Sequence, residues 1–466
     1  MVSVDALISG FKNSLAPKTA SPSVATILRS VLWPVAIMAV IHRSYVLGTN
    51  GYITDDFGPV YRAVIAFKRQ QPVYAENFSY VDPHYLYPPG GTLLLSPFGY
   101  MPVDASRYWF ITINAVAIVV AAYFLLRLFN FTLASVAAPA LLLAMFCTES
   151  VTNTLVFTNI NGVVLLLEVL FFRWLLDGRT SSQWWAGVAI GLTLVIKPLL
   201  LPLLLLPLLN RQGRVFVTAL GIPLLFNAVA VFGPSKIGPF RVRVIDPGNF
   251  LHHTVKYMLA PRDYFNSAIQ GNGLYYGLPT PLIWGLRGLF LVIAVVSVWL
   301  LYKYYRQRDP RFWALTTGGV VLTASFLLSG LGQGYYSMAL FPFVMTIVLP
   351  NSVLRNWPAW LAIYGFFSMD RWLLGHWPTT GRALEYLKIT YGWCLLLIVV
   401  MIVLVLRYRD AKAAGTLDQG LDPEWMSRLH EDQQAGLHSE ETADDDDTER
   451  SKGEPERRAV AGATDS

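Results

Sequence analysis

Long apolar runs separated by short polar breaks dominate the chain. Crossing the hydrocarbon core of a bilayer takes roughly 20 mostly apolar residues as a helix. The stretches Phe110 to Leu126 and Leu395 to Leu406, with its flanks, are runs of that kind. Read along its whole length, the pattern predicts crossings near 27–47, 107–127, 131–147, 158–176, 184–197, 199–209, 214–232, 282–305, 312–330, 334–350, 356–373 and 389–407. The pieces 184–197 and 199–209 are each too short to span alone, and Lys197-Pro198 divides them. Proline lacks a backbone donor and clashes with the preceding turn. These two pieces therefore read as a broken or re-entrant pair meeting at depth, which a membrane tolerates where irregular backbone lines a cavity. The expected fold class is an all-α polytopic membrane protein with about 11 to 12 transmembrane segments.

The polar remainder divides the chain into 1–26, 27–412 and 413–466. Residues 4–15 place Val4, Leu7, Ile8, Phe11 and Leu15 at helical spacing, which suits an interfacial helix. The first apolar run follows a polar lead and no small-residue cleavage site comes after it, so it is not a cleavable signal. Two long loops, 48–106 and 233–281, are rich in Tyr, Phe, Trp, Pro and Asn. Loops this long are functional or disordered, and this composition points to short helices lying on the surface. The tail from about 413, with Asp444 to Asp447, has the composition of a disordered, solvated segment.

Composition supports this reading. Hydrophobic residues make up 54% of the chain and charged residues only 14%, against about 25% charged in a soluble domain. Residues 413–466 carry 15 acidic and 5 basic residues, and residues 1–412 carry 31 basic and 15 acidic. The basic surplus lies in short connections: Arg127; Arg173 and Arg179; Arg211 and Arg214; Lys303, Arg306, Arg308 and Arg311; Arg355; Arg407, Arg409 and Lys412. By the positive-inside rule these connections are cytoplasmic, as are both termini, and the two long loops are periplasmic. Cys147 and Cys394 fall at or inside apolar segments and read as small buried hydrophobes, with neither a disulfide framework nor zinc spacing. Phosphate loops, GxGxxG after a strand, HExxH and GxSxG are all missing, which argues against a soluble nucleotide-using enzyme.

Ionisable groups at a membrane boundary are costly and so are candidates for chemistry. Asp55 and Asp56 lie just past the first crossing, in Gly51-Tyr-Ile-Thr-Asp-Asp-Phe-Gly-Pro-Val-Tyr-Arg62. A carboxylate there can act as a general base, or it can cap the helix that starts at Phe57. In Tyr80-Val-Asp-Pro-His-Tyr-Leu-Tyr-Pro-Pro-Gly-Gly91, His84, Tyr85 and Tyr87 are either walls of a sugar or headgroup site or part of an interfacial aromatic belt. Lys197, apolar in context and beside a helix break, suits a phosphate. Arg241, Arg243, His252, His253, Lys256 and Arg262 are further cationic candidates. Glu149, Asn153, Asn159 and Asn161 either bind hydroxyls or cap helices.

These segments resemble the actinobacterial, mycobacterial arabinofuranosyltransferase C family. The residues that carry the resemblance are Asn50-Gly-Tyr-Ile-Thr-Asp-Asp-Phe, Tyr80 to Leu94, Asn153-Thr-Leu-Val-Phe-Thr-Asn-Ile-Asn-Gly162, Gly191-Leu-Thr-Leu-Val-Ile-Lys-Pro198, Arg262-Asp-Tyr-Phe-Asn-Ser and Ala383 to Trp393. It covers about residues 21 to 425. The resemblance implies a GT-C glycosyltransferase helix bundle in the plasma membrane, with its active site on the periplasmic face. It implies transfer of D-arabinofuranose from decaprenyl-phosphate-arabinose to an arabinan acceptor. The product would be alpha-1,3 branches in cell-wall arabinogalactan and lipoarabinomannan. It also implies Asp56 as the base, with Asp55 second. From the residues themselves, Lys197, Arg262, His252 and His253 are expected on the donor phosphate, and His84, Tyr85, Tyr87, Glu149 and Asn159 around sugar or acceptor. No cofactor and no metal are expected, although Asp55, Asp56 and Asp82 have the chemistry to hold one. Two alternatives remain at this point: a polyprenyl-phosphate-mannose-dependent mannosyltransferase, and a transporter of polyprenyl-linked sugars.

Overall fold

The computed structural model describes residues 23–51, 56–79, 83–233, 244–263 and 266–421. The interfacial helix expected at 4–15 and the acidic run 444–447 lie outside them. All the secondary structure in the described residues is helical. The main helices are α1 (Val24–Ile41), α2 (Phe57–Lys68), α3 (Pro89–Leu95), α4 (Val103–Leu128), α5 (Ala137–Phe146), α6 (Glu149–Val156) and α7 (Asn161–Asp177). They continue with α8 (Thr180–Ile196), α9 (Gly213–Phe232), α10 (Ile269–Tyr275), α11 (Thr280–Tyr304), α12 (Pro310–Leu328), α13 (Trp357–Phe367) and α14 (Pro378–Ala413).

Each of the twelve predicted crossings carries helix, but not equally. Six helices are individually long and apolar enough to span: Val24–Asn50, Val103–Leu128, Gly213–Phe232, Thr280–Tyr304, Pro310–Leu328 and Pro378–Ala413. The others are short or broken. Helices α5 and α6 bend by 58° where Cys147 and Thr148 interrupt them, and Thr148 caps the second piece. Cys147, expected to be buried, is exposed at this bend. The Lys197-Pro198 break is present: α8 stops at Ile196, Lys197 is extended, and a 3-10 turn Pro198–Leu204 leads into Leu205–Leu209. The segment 334–350 is likewise mostly 3-10, over Gly334–Leu340 and Met345–Val348.

Proline and polar caps set the helix starts. Asp309 accepts from Phe312 N–H ahead of Pro310, and Asn356 accepts from Ala359 N–H ahead of Pro358. Outward faces stay apolar: Leu224, Leu225 and Phe232 of α9 are 71%, 61% and 75% exposed, as lipid-facing positions require. Inward, α13 and α14 meet at Gly365 and Gly392, where a Cβ on Gly392 would sit 2.6 Å from the Ala362 carbonyl. Small residues at such a crossing let two backbones approach closely. Short helices are present in the long loops as α2, α3, the π turn Phe250–Val255 and α10, but α3 and α10 are largely buried rather than lying on the surface.

The ends of the long helices sort into two levels. Asp56, the α6–α7 turn, the Lys197 break and the turn before Tyr335 cluster at one end. Arg127, Arg173, Arg179 and Arg311 lie together at the other.

Candidate active site

The site is built where four chain breaks meet. The first span ends in a π turn (His42–Leu47), and Arg107 of α4 holds that end through the carbonyls of Gly48 and Thr49. Asp56 then stands at the N-cap position of α2. Its side chain makes no capping bond to the helix. The carboxylate instead accepts a hydrogen bond from Asn159 Nδ2, and its charge acts on the nearby Tyr335 hydroxyl. The Asp56 backbone N–H donates to the Phe157 carbonyl at 2.9 Å, which ties the start of α2 to the α6–α7 turn. Of the two readings open for Asp56, the helix-capping one does not hold, because the side chain makes no bond to the first turn of α2. Asp55, Asp82, Arg241 and Arg243 lie outside the described residues.

The α6–α7 turn is strained. Thr158 has φ of 54°, in the left-handed region, which a β-branched residue adopts only when its surroundings impose it, at about 1–3 kcal/mol. The strained turn presents two buried amides, Asn159 and Asn161, on one side. Gly162 then lets α7 press against α4: a Cβ there would lie 2.5 Å from the Asn114 carbonyl.

Lys197 completes the centre. Its ammonium donates to Asn159 Oδ1 at 2.7 Å and to Asn161 Oδ1 at 3.1 Å. The Tyr87 and Tyr335 ring centroids lie 5.6 and 5.5 Å from Nζ, within cation–π range. An ammonium has three donors, so one is left for a ligand. Asn161 Nδ2, buried and with no hydrogen-bond partner among the described residues, is a second unused donor. A buried donor without a partner costs about 1–3 kcal/mol, which a bound oxygen would relieve.

A second cationic group lies alongside. Arg262 packs its guanidinium on the Tyr257 ring at 4.3 Å and donates to the Tyr257 hydroxyl at 3.2 Å, while Nε and Nη2 are buried with no hydrogen-bond partner among the described residues. Its charge reaches Tyr336, next to Tyr335. His84 meets Tyr257 edge-on at 4.9 Å and lies 3.5 Å from Glu76, which also accepts from Tyr85 N–H at 2.8 Å. Tyr85 is a wall rather than a free hydroxyl, because its OH bonds Thr92 Oγ1 at 2.7 Å. Burial pushes the Tyr85 hydroxyl well above its usual range. Tyr87 is raised too, by burial first and then by the charge of Asp56.

The candidates expected from the sequence therefore separate. Asp56, Asn159, Lys197 and Tyr87 come together, with Arg262, His84 and Tyr85 beside them. Asn159 bridges Asp56 and Lys197 rather than standing open to a sugar. Glu149 is drawn into a separate clamp: Lys388 Nζ reaches it at 3.1 Å and also donates to the carbonyls of Ser368 and Asp370. His252 and His253 sit exposed on the π turn Phe250–Val255. Tyr335, Tyr336 and Tyr257 were not expected. A paired Tyr-Tyr inside Gly332-Gln-Gly-Tyr-Tyr336, at the foot of an apolar segment, is the signal that marks two of them.

The family model for glycosyltransferase family 87 matches residues 85–330. An alpha-(1->3)-arabinofuranosyltransferase of Mycolicibacterium smegmatis is 67% identical over 428 residues, covering 92% of this chain and 97% of the relative. One of Mycobacterium tuberculosis is 63% identical over 427 residues, 92% of this chain and 95% of its own length. One of Corynebacterium glutamicum is 40% identical over 393 residues, 83% and 90% of the two chains.

Proposed function

Because this chain belongs to glycosyltransferase family 87, we propose that it is an alpha-1,3-arabinofuranosyltransferase that takes D-arabinofuranose from decaprenyl-phosphate-arabinose and gives it to arabinan. The branches it makes belong to cell-wall arabinogalactan and lipoarabinomannan. The names of relatives 67% and 63% identical over nearly their full length support the reaction. The observation that carries the mechanism is the chain Asp56–Asn159–Lys197, a carboxylate and an ammonium held by one amide.

The reaction is a single displacement. The acceptor hydroxyl gives its proton to the Asp56 carboxylate as its oxygen attacks the anomeric carbon. The bond from that carbon to the phosphate oxygen breaks, its electron pair stays on the phosphate, and decaprenyl phosphate leaves. A beta-linked donor thereby gives an alpha product. Negative charge grows on the phosphate during this step. Lys197, with its remaining N–H, and Arg262, with two unpaired nitrogens, supply donors for it. His252 and His253 provide a looser outer contact for the same phosphate. Tyr87 and Tyr335 wall the sugar between Asp56 and Lys197, with His84 and Tyr85 behind them. Arginines at the opposite end support a periplasmic site and cytoplasmic termini by the positive-inside rule.

The test uses purified protein in nanodiscs, synthetic decaprenyl-phosphate-arabinose and a short alpha-1,5-linked arabinan. Nuclear magnetic resonance of the product should show a new alpha-1,3 linkage. Transfer from polyprenyl-phosphate-mannose alone would reassign the donor, and no transfer from either by folded protein would point to a transporter.

A further inference from the structure

At the end of the bundle away from Asp56, the last turns of α4 and α7, the start of α8 and the start of α12 line an open cavity of about 480 Å³. Its charged lining is Arg127, Arg173, Arg179, Arg311 and a single acid, Asp177. Arg179 is already engaged, with Nε 2.8 Å from Asp177 Oδ2. Arg127, Arg173 and Arg311 have no carboxylate at ion-pair distance among the described residues. Arg173 lies over the Phe124 ring instead, at 5.5 Å. Three cations around one space repel each other, and a bound anion with several oxygens would neutralise them through charge-assisted hydrogen bonds.

The cavity is also partly apolar, lined by Leu128, Trp174 and Leu176. The Trp174 ring packs 6.0 Å from that of Trp185, which is 56% exposed. Tryptophans at the ends of membrane helices mark the headgroup level. Arginines and apolar side chains at that level suit a phosphate that carries acyl chains, because basic pockets between membrane helices take anionic headgroups. We propose that this cavity binds the headgroup phosphate of an anionic phospholipid, at a site separate from Asp56 and independent of the transfer reaction.

Native mass spectrometry of the full chain in neutral detergent tests this, with phosphatidylglycerol or phosphatidylcholine titrated in. The first phosphatidylglycerol adduct should form at about a tenth of the concentration that phosphatidylcholine needs. Arg127→Gln, Arg173→Gln and Arg311→Gln together should abolish that preference, whereas Lys68→Gln, at the other end of the bundle, should keep it. Each arginine substitution alone should weaken the adduct about fivefold, which keeps the test decisive if the triple variant does not fold. Equal binding of the two lipids, or an unchanged preference in the arginine variants, would overturn the proposal. So would full displacement of the adduct by millimolar inorganic phosphate, which would assign the site to free phosphate. A tenfold gain in lipid binding when Asp444, Asp445, Asp446 and Asp447 are all replaced by Asn would give the cavity to the chain's own acidic tail instead.

Discussion

Asn159 has one amide and two charged neighbours. Its carbonyl oxygen holds the Lys197 ammonium, so its NH₂ must face Asp56. The Asp56 carboxylate and the Lys197 ammonium are therefore fixed relative to each other, the kind of preorganisation on which the proposed displacement would depend. Asn159→Ala should lower transfer by about 100-fold, the loss that a small misplacement of reacting groups brings, with only a modest fall in melting temperature. Tyr335→Phe removes a hydroxyl beside the Asp56 carboxylate and should lower transfer by about tenfold. Initial-rate measurements on both variants check this. The sequence shows the position of Asp56 and the apolar context of Lys197 beside a proline break. It does not show their connection, because Asn159 and Tyr335 lie 103 and 279 residues from Asp56 and look like helix caps or interfacial aromatics in isolation. Glu149 illustrates the converse: an outer carboxylate that reads as a sugar ligand is engaged by a lysine 239 residues later.

Among the elements, the Glu149–Lys388 clamp joins α6 to α14. The Lys388 side chain is 3% exposed and that of Glu149 18%. Breaking a buried pair by removing one member leaves the other charge uncompensated, at about 3–5 kcal/mol. Lys388→Met should therefore lower the melting temperature clearly, and Lys388→Met with Glu149→Gln should recover much of the loss. Gly392→Val should also destabilise, by about 1–3 kcal/mol, since the new Cβ meets the Ala362 carbonyl. Melting curves in detergent check all three variants. Element positions were largely legible from hydropathy, down to the proline break after Lys197. What hydropathy cannot show is how a short apolar segment folds. Residues 334–350 read as an ordinary crossing and 199–209 as half of a broken pair, yet much of each is 3-10 helix, whose tighter winding depends on packing against neighbours.

The molecule as a whole has two chemically distinct ends. One gathers aromatic residues and amides around a carboxylate and two cations. The other gathers arginines. If the positive-inside rule sets the orientation, a cysteine placed at Lys68 in a Cys147→Ala, Cys394→Ala background should be labelled by an impermeant maleimide added to intact cells. One at Arg355 should be labelled only after lysis. The reverse pattern would invert the membrane orientation. Alkaline pH tests the buried tyrosine wall: burial raises the Tyr74, Tyr85 and Tyr87 hydroxyls. Above a pH of about 10 the unfolded chain gives up these protons while the folded chain keeps them, so stability should fall as pH rises further. Thermal melts between neutral and strongly alkaline pH would show it.

Asp56 as the proposed base is tested most directly by comparing transfer by wild type, Asp55→Asn and Asp56→Asn with saturating decaprenyl-phosphate-arabinose and arabinan. Asp56→Asn should lose about 100- to 10,000-fold in rate while still binding donor, and Asp55→Asn should retain most of its activity. Retained transfer by Asp56→Asn, with loss only in Asp55→Asn, would contradict the assignment and move the base to the neighbouring residue.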